Sequence, residues 1–326
     1  ECTSRVRVGS IKSTPFTVDV GLRQGCVLSP ILFATFMDRI EKRSRGNEGV
    51  RIGNVKVSRL LFADDLALLA SSQTDLQRAL ERFAAECAQD GMKISTAKTE
   101  AMCLSRRPVD CALHVSGVPI RQVEEFKYLG TLFTSDGRQE KELSRRINCA
   151  SGVLRELWTL AGNRTVSTEA LVSIFKAVYR SSLTYGHETW ILTERTRSRV
   201  QAAEMRFLRR IVGVTRMDRI RNTSIREALD LEPLLLFTEK SQLRWFGHVL
   251  RMGPDRLARQ VFQATPDGRR PVGRPRNRWM DQADALLQRA GHDPDDAETL
   301  AADRHRWKAI TTCLPPRPEI FRRRRA

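Results

Sequence analysis

The chain has 326 residues, enough for about two domains with cores of their own, and its 41% hydrophobic and 29% charged residues exclude a disordered tail. The net charge of +18 at pH 7 points to a polyanionic partner, and it is uneven: residues 1–150 carry 23 Lys and Arg against 18 Asp and Glu, residues 151–326 carry 33 against 20. Seven cysteines without a CxxC pair argue against a disulfide framework and for a reducing compartment, and no apolar run approaches the roughly 18 residues of a membrane span.

In chain order, residues 5–20 (RVRVGSIKSTPFTVDV) alternate β-branched and polar residues around a Gly-Ser turn, which predicts a pair of strands. GLRQGCVLSP is a glycine-bearing loop, and Ser29-Pro30 at its end starts a helix over ILFATFMDRIEKRSR that should stop near Gly46. Two short apolar runs, VKVSRLLFA at 55–63 and LALLAS at 66–71, are separated only by Asp64 and Asp65 and read as strand, tight turn, strand. Residues 74–90 begin on a Thr cap, place Leu76, Leu80, Phe83 and Cys87 at helical spacing and end at Gly91. MKISTAKTEAMCL and VEEFKYLGTLFTSDG read as further strands, the second closed by the turn at 135–137.

From residue 138 the period becomes helical. KELSRRINCASGVLRELWTLAG, STEALVSIFKAVYRSSLTYG and TERTRSRVQAAEMRFLRRIVG are three helices, each ending near a glycine. The stretch 263–278 (QATPDGRRPVGRPRNR) is too rich in Pro, Gly and Arg for a regular element and reads as a linker or an extended basic arm. A last helix near 279–291 and a basic tail follow.

The segment that speaks most about chemistry is LLFADDLALLA, in which two adjacent carboxylates interrupt an otherwise apolar run. Burying like charges side by side is costly unless a cation is bound there. A divalent ion is the natural compensator, as in two-metal phosphoryl transfer, where carboxylates hold Mg2+. An exposed Asp-Asp hairpin turn explains the four residues FADD equally well.

The neighbours of FADD carry a resemblance. GLRQGCVLSPILF (21–33), FADD (62–65), GMKISTAKTEAM (91–102) and EFKYLGTLFTSDG (125–137) stand in the order, and at about the separations, of the later palm motifs of LINE-like (non-LTR) retrotransposon reverse transcriptases. The chain resembles that family over residues 18–150. More loosely, YGHETW (185–190), RWFGHVLRM (244–252) and GRPRNRWMD (273–281) resemble the downstream region of the same elements. The resemblance implies an α+β fold: a partial polymerase palm of antiparallel sheet with helices over 1–137, a mainly α-helical thumb-like and connecting region over 138–262, and a basic arm with a C-terminal helix over 263–326.

It also implies an RNA-directed DNA polymerase working by two-metal nucleotidyl transfer on an RNA template, a DNA primer and dNTPs. Such work is intracellular and, because integration is chromosomal, nuclear. Residue by residue, Asp64 and Asp65 are the implied ligands of Mg2+ (or Mn2+). Gly21, Arg23, Gln24 and Gly25 form the loop against nucleotide and template, where absent side chains at the glycines admit close backbone approach. Lys98 lies near the triphosphate, where an ammonium stabilises or protonates the leaving pyrophosphate. Tyr128, Leu129 and Gly130 match the primer-grip hairpin.

One departure from the family pattern matters. A further metal-binding aspartate belongs on a strand well before the glycine loop, yet only 20 residues precede Gly21, and Asp19 lies too close to it. The chain is therefore expected to be a C-terminal fragment without fingers, inactive alone; the alternative is a non-catalytic remnant or reused domain that binds nucleic acid. Arg269, Arg270, Arg274, Arg276 and Arg278 alternate with Gly and Pro on a backbone free to follow phosphates. No zinc site is expected, since His248, His292, His305 and Cys313 are scattered and Cys103, Cys111 and His114 lack a fourth ligand. Trp190, Trp245, Trp279 and Trp307 either stack on bases or pack in cores.

Overall fold

The computed structural model describes residues 2–18, 21–105, 109–161, 166–266 and 277–317, and its contacts divide into two units, residues 1–101 with 110–122 and residues 102–109 with 123–326. Helices and small, mostly antiparallel sheets are mixed in an α+β arrangement. No helix among the described residues is long and apolar enough to cross a membrane.

In the first unit β1 (Cys2–Ser4) pairs antiparallel with β4 (Phe16–Val18), and between them β2 (Arg7–Val8) and β3 (Ile11–Lys12) form the expected hairpin around Gly9. In α1 (Ser29–Arg43) Pro30 sits in the first turn, but Ser29 does not cap; its Oγ donates to the Arg23 carbonyl at 2.8 Å and so closes the glycine loop. The run expected as one strand from Val55 splits into two hairpins. β5 (Val50–Ile52) pairs with β6 (Val55–Val57), and β7 (Arg59–Phe62) pairs with β8 (Asp65–Leu68).

α2 (Gln73–Gln89) is capped by Ser72, not Thr74: the Ser72 Oγ accepts the Asp75 N–H at 3.1 Å. It stops before Gly91, whose φ of +76° suits a glycine. The strand expected from Met92 to Leu104 shrinks to β9 (Glu100–Ala101), because the backbone N–H groups of Lys98 and Thr99 both donate to the Ser95 carbonyl and turn the chain. β10 (His114–Val115) and β11 (Val118–Pro119) form a hairpin, and β12 (Arg121–Gln122) runs parallel to β9. One core joins Phe33, Met37 and Ile40 of α1, Phe83 and Cys87 of α2, Leu66 and Leu68 of β8, and the following Met92 and Ile94.

The second unit opens with the antiparallel pair β13 (Glu125–Tyr128) and β14 (Thr131–Thr134) and continues into α3 (Glu140–Ala161). α4 (Thr168–Ile174) runs through a π-helical turn at Phe175–Tyr179 into α5 (Arg180–Thr184). α6 (Glu194–Val212) is capped by Thr193 and ends at Gly213, φ +74°. Then come α7 (Asn222–Ala228), α8 (Leu234–Leu250), α9 (Leu257–Gln263), α10 (Trp279–Arg289), α11 (Ala297–Ala302) and α12 (Arg304–Thr312).

α8 has no single apolar stripe, because Leu234, Leu236, Thr238, Glu239, Gln242, Leu243, Phe246 and Val249 are all buried and face two different cores. Phe175, Tyr179, Val200, Leu208 and Ile225 centre the first; Leu243, Phe246, Leu287, Leu300 and Trp307 centre the second.

Candidate active site

Asp64 and Asp65 sit at the tip of the β7–β8 hairpin. The two-residue loop is Ala63-Asp64, with Phe62 opposite Asp65, so the turn falls one residue earlier than the apolar runs imply. A loop this short needs a positive φ at its first position, normally supplied by Gly or Asn. Here Ala63 supplies it, at φ 52°. Holding a residue with a Cβ in that region costs about 1 kcal/mol. Both carboxylates are exposed, and among the described residues neither makes a hydrogen bond or ion pair. The expected cost of burying like charges is thus absent, because the tip projects past the core that holds Leu66 and Leu68. What stays open to solvent beside it is apolar: Leu60, Leu61 and Phe62 are 40%, 37% and 62% exposed.

Two free carboxylates have the hard oxygen chemistry that suits Mg2+ or Mn2+. Two ions 3.5–4 Å apart, roughly, need more ligands than this pair offers. Among the described residues no third His, Cys, Asp or Glu joins them.

The other candidates of this unit are tied to the hairpin through the shared core. Gly21 (φ 110°) and Gly25 (φ 83°) lie with Arg23 and Gln24 in the exposed loop that runs into α1, and a Cβ at either glycine would meet nothing within 4 Å. Lys98 is exposed in the turn after Met92 and Ile94. Sequence reasoning passed over Arg59, the lone cation of VSRLLFADD. It donates to the Glu41 carbonyl (3.1 Å) and to the Ser44 hydroxyl (2.8 Å) and carbonyl (3.1 Å), and lies 3.6 Å from the Glu41 carboxylate. Burial lowers its pKa below the ordinary guanidinium value. Arg59 therefore pins the carboxylate hairpin to the end of α1.

Tyr128, Leu129 and Gly130 are placed by the second unit. Leu129 (φ 46°) and Gly130 (φ 81°) form a two-residue loop with both φ values positive. That geometry favours Asn-Gly, so a leucine there is strained. The surroundings hold it: the Tyr185 hydroxyl donates to the Leu129 carbonyl at 2.9 Å, and the guanidinium groups of Arg145 and Arg146 both donate to the Gly130 carbonyl. Glu142, 2% exposed, accepts the Leu132 N–H at 3.0 Å, Arg145 Nε at 2.8 Å and Arg146 Nε at 2.6 Å. Burial alone would raise the Glu142 pKa, but these hydrogen bonds hold it below the usual carboxylate value. Arg146 also lies over the Tyr185 ring, 4.4 Å from its centroid.

The three downstream motifs meet. Gln242 Nε2 donates to the carbonyls of His187 (3.0 Å) and Trp190 (2.9 Å), Gln282 accepts the Leu192 N–H (2.8 Å), and Trp279 Nε1 donates to the Glu188 carbonyl (2.7 Å). Trp245 and Trp279 meet edge to face at 5.4 Å, and Trp307 Nε1 donates to the Leu243 carbonyl at 2.9 Å. Trp190 and Trp307 are buried, so packing accounts for these rings. His187 is buried with Nδ1 on the Thr184 carbonyl, and burial lowers its pKa despite Glu188 nearby. Arg278 is exposed at the start of α10, its N–H donating to the Asp281 carboxylate at 3.1 Å. Arg269, Arg270, Arg274, Arg276 and Asp19 lie outside the described residues.

Residues 2–133 match the family described as reverse transcriptase (RNA-dependent DNA polymerase). A putative uncharacterized transposon-derived protein of Caenorhabditis elegans is 26% identical over 280 residues, 80% of this chain and 97% of that protein. The retrovirus-related Pol polyprotein from the type-1 retrotransposable element R2 of Nasonia vitripennis is 32% identical over 146 residues, 41% of this chain and 14% of the polyprotein. The probable RNA-directed DNA polymerase from transposon X-element of Drosophila melanogaster is 24% identical over 281 residues, covering 83% of this chain and 30% of that polymerase. The chain thus spans less than a third of the polyprotein and polymerase relatives, while its match covers nearly all of the first. The similarity to reverse transcriptases is carried by residues 2–133, and the similar proteins include ones named as RNA-directed DNA polymerases and Pol polyproteins of retrotransposable elements.

Proposed function

We propose that the chain supplies the later part of an RNA-directed DNA polymerase of a non-LTR retrotransposon, with Asp64 and Asp65 as metal-binding carboxylates. On this reading residues 1–137 belong to the palm, 138–262 to a thumb-like region and 263–326 to a basic arm and C-terminal helix. The substrates are an RNA template, a DNA primer and dNTPs, used on chromosomal DNA in the nucleus. The observation that carries it is the hairpin tip, where a strained alanine presents two unpaired carboxylates beside the exposed apolar end of β7. Backbone strain of this kind collects at functional sites.

When bound, divalent ions stabilise the attacking 3′-hydroxyl and the leaving pyrophosphate. Asp64 and Asp65 hold them; Arg59 fixes the hairpin that carries the pair. Gly21 and Gly25 let the backbone approach nucleotide and template, with Arg23 and Gln24 beside them. Lys98 offers its ammonium proton to the leaving pyrophosphate oxygen. Tyr128, Leu129 and Gly130 steady the primer terminus. Because no third carboxylate joins the pair among the described residues, residues 1–326 alone are expected to bind metal weakly and to give no primer extension.

Mn2+ relaxation broadening tests the site: resonances of residues 61–67 should broaden, and Asp64→Asn with Asp65→Asn should abolish the effect. Broadening that survives both substitutions sinks the metal assignment. Extension on an RNA template that is lost in Asp64→Asn would instead show that the pair suffices. The second reading, a non-catalytic nucleic-acid binder, is favoured by the +13 charge of residues 151–326.

A further inference from the structure

Two serines stand three residues after one arginine and five after another: Ser10, after Arg7 and Arg5, and Ser224, after Arg221 and Arg219. An isoleucine follows each, Ile11 and Ile225. An acid-lined kinase cleft reads such a pattern through charge-assisted hydrogen bonds to the two guanidinium groups and an apolar pocket for the residue after the acceptor. Because the cleft takes its substrate extended, the pattern counts only where the chain can be lifted clear of the fold.

The fold separates the two serines. Ser224 lies in the first turn of α7, Ile225 beside it is 1% exposed, and Arg226 is buried with Nε and Nη2 on the Glu204 carboxylate at 3.1 and 2.6 Å. Extending that segment would strand the buried Glu204 without its countercharge. Ser10 is the second residue of the Gly9-Ser10 loop between β2 and β3, and every residue from Arg5 to Lys12 is exposed, Ile11 at 76%. The β2–β3 ladder holds two residue pairs, Arg7 with Lys12 and Val8 with Ile11. A two-stranded hairpin is marginal in water, and like charges directly opposite weaken it further. Residues 5–12 can therefore be extended without uncovering a buried group. Among the described residues neither Arg5 nor Arg7 forms an ion pair, and the Ser10 hydroxyl makes no hydrogen bond.

We propose that Ser10 is a phosphorylation site, the acceptor for an arginine-directed serine/threonine protein kinase that uses ATP. The Ser10 Oγ forms a bond to the γ-phosphorus, the bond from that phosphorus to the ADP oxygen breaks, and the hydroxyl proton passes to the carboxylate base of the kinase. The phosphate adds about −1.5 to −2 charges beside Arg5, Arg7 and Lys12, which share one face of the ribbon. Arg7 Nε donates to the Gly9 carbonyl at 2.9 Å and so keeps its guanidinium at the turn, where it becomes the partner of the phosphate. Phosphorylation thus offsets the Arg7–Lys12 repulsion and tightens the hairpin. The site rests on residues 5–12 and not on Asp64 or any polymerase activity.

The test is incubation of the folded full chain with the catalytic subunit of cyclic-AMP-dependent protein kinase, Mg2+ and ATP, followed by peptide mass spectrometry. Ser10 should take the phosphate and Ser224 should stay unmodified. Arg5→Gln/Arg7→Gln, both at exposed positions, should leave the melting temperature unchanged and lower kcat/KM for Ser10 by at least about tenfold. In the phosphorylated chain, exchange of the Ser13 amide, which donates to the Val6 carbonyl at 2.9 Å, should slow; unchanged exchange overturns the tightening. The site itself is overturned by a folded chain that takes no phosphate on Ser10, by phosphate on Ser224 in its place, or by an equal rate at Ser10 in the double arginine variant. Equal modification of Ser10 by an acid-directed kinase overturns it as well.

Discussion

Replacing Glu142 by Gln isolates the ionic clamp on the β13–β14 hairpin. The side chain keeps its shape and one acceptor, but the Arg146 guanidinium, 8% exposed, loses its countercharge. Removing one partner of a buried pair costs about 3–5 kcal/mol. The Arg145 side chain is 27% exposed and can turn to water, so the lower end, about 3 kcal/mol, applies. For a unit of this size 1 kcal/mol moves the melting temperature by roughly 2–4 °C, which gives a fall of about 6–12 °C. Calorimetry of the full chain should show it, with faster amide exchange at Leu132, whose N–H the carboxylate accepts. The acid limb has a sign as well. The folded pKa of Glu142 is depressed, so its contribution is full above the ordinary value of 4.5 and is lost as pH falls through the lower folded value. Glu142→Gln should flatten that limb. A shift under about 2 °C together with unchanged exchange at Leu132 would refute the clamp.

Arg59→Met should cost about 3 kcal/mol by leaving Glu41 with only the exposed Arg45, and it should loosen amide protection along 59–68; unchanged protection there would remove Arg59 as the hairpin's anchor. At Gly247→Ala the new Cβ would overlap the Trp307 indole, a rigid ring hydrogen-bonded to Leu243, so a loss of about 1–3 kcal/mol in thermal unfolding is expected. A neutral result would mean that α8 and α12 separate freely. His187 has a depressed folded pKa, so the helical unit should lose stability as pH drops below the ordinary 6.5, by up to about 1.4 kcal/mol per pH unit. His187→Asn, which keeps a donor for the Thr184 carbonyl, should remove this dependence near pH 6; an unaltered pH profile of urea midpoints would show that His187 is not its source.

Local rules made part of this architecture legible. Gly91 and Gly213 end helices where a left-handed residue is needed, and the break at Asp64-Asp65 between two apolar runs marks the β7–β8 turn to within one residue, whereas the Leu129-Gly130 turn falls inside a segment that reads as one strand. Ser72 displaced Thr74 as a cap because either hydroxyl suits the role and one residue decides it. α8 stayed hidden for a physical reason: an element buried on most sides has no hydrophobic period to detect. In the candidate site, residue types and order singled out Asp64 and Asp65, while their exposure depends on how far the tip projects beyond Leu66. The supports Glu41 and Ser44 for Arg59, and Tyr185 for Leu129, are distant in sequence, and no window on the chain contains both partners.

The polar links from α10 back to the segment before α6 bear on how the chain is made. Leu192 is joined to Gln282 and Glu188 to Trp279, each across about 90 positions. At synthesis rates of about 5–20 residues per second, roughly 5–18 s separate the emergence of the two ends. During that interval the Leu192 N–H and the Glu188 carbonyl have only water, and the second core of the helical unit lacks Leu287, Leu300 and Trp307. The helical unit therefore completes late on the ribosome, with an open apolar flank on α8 that a chaperone would be positioned to hold.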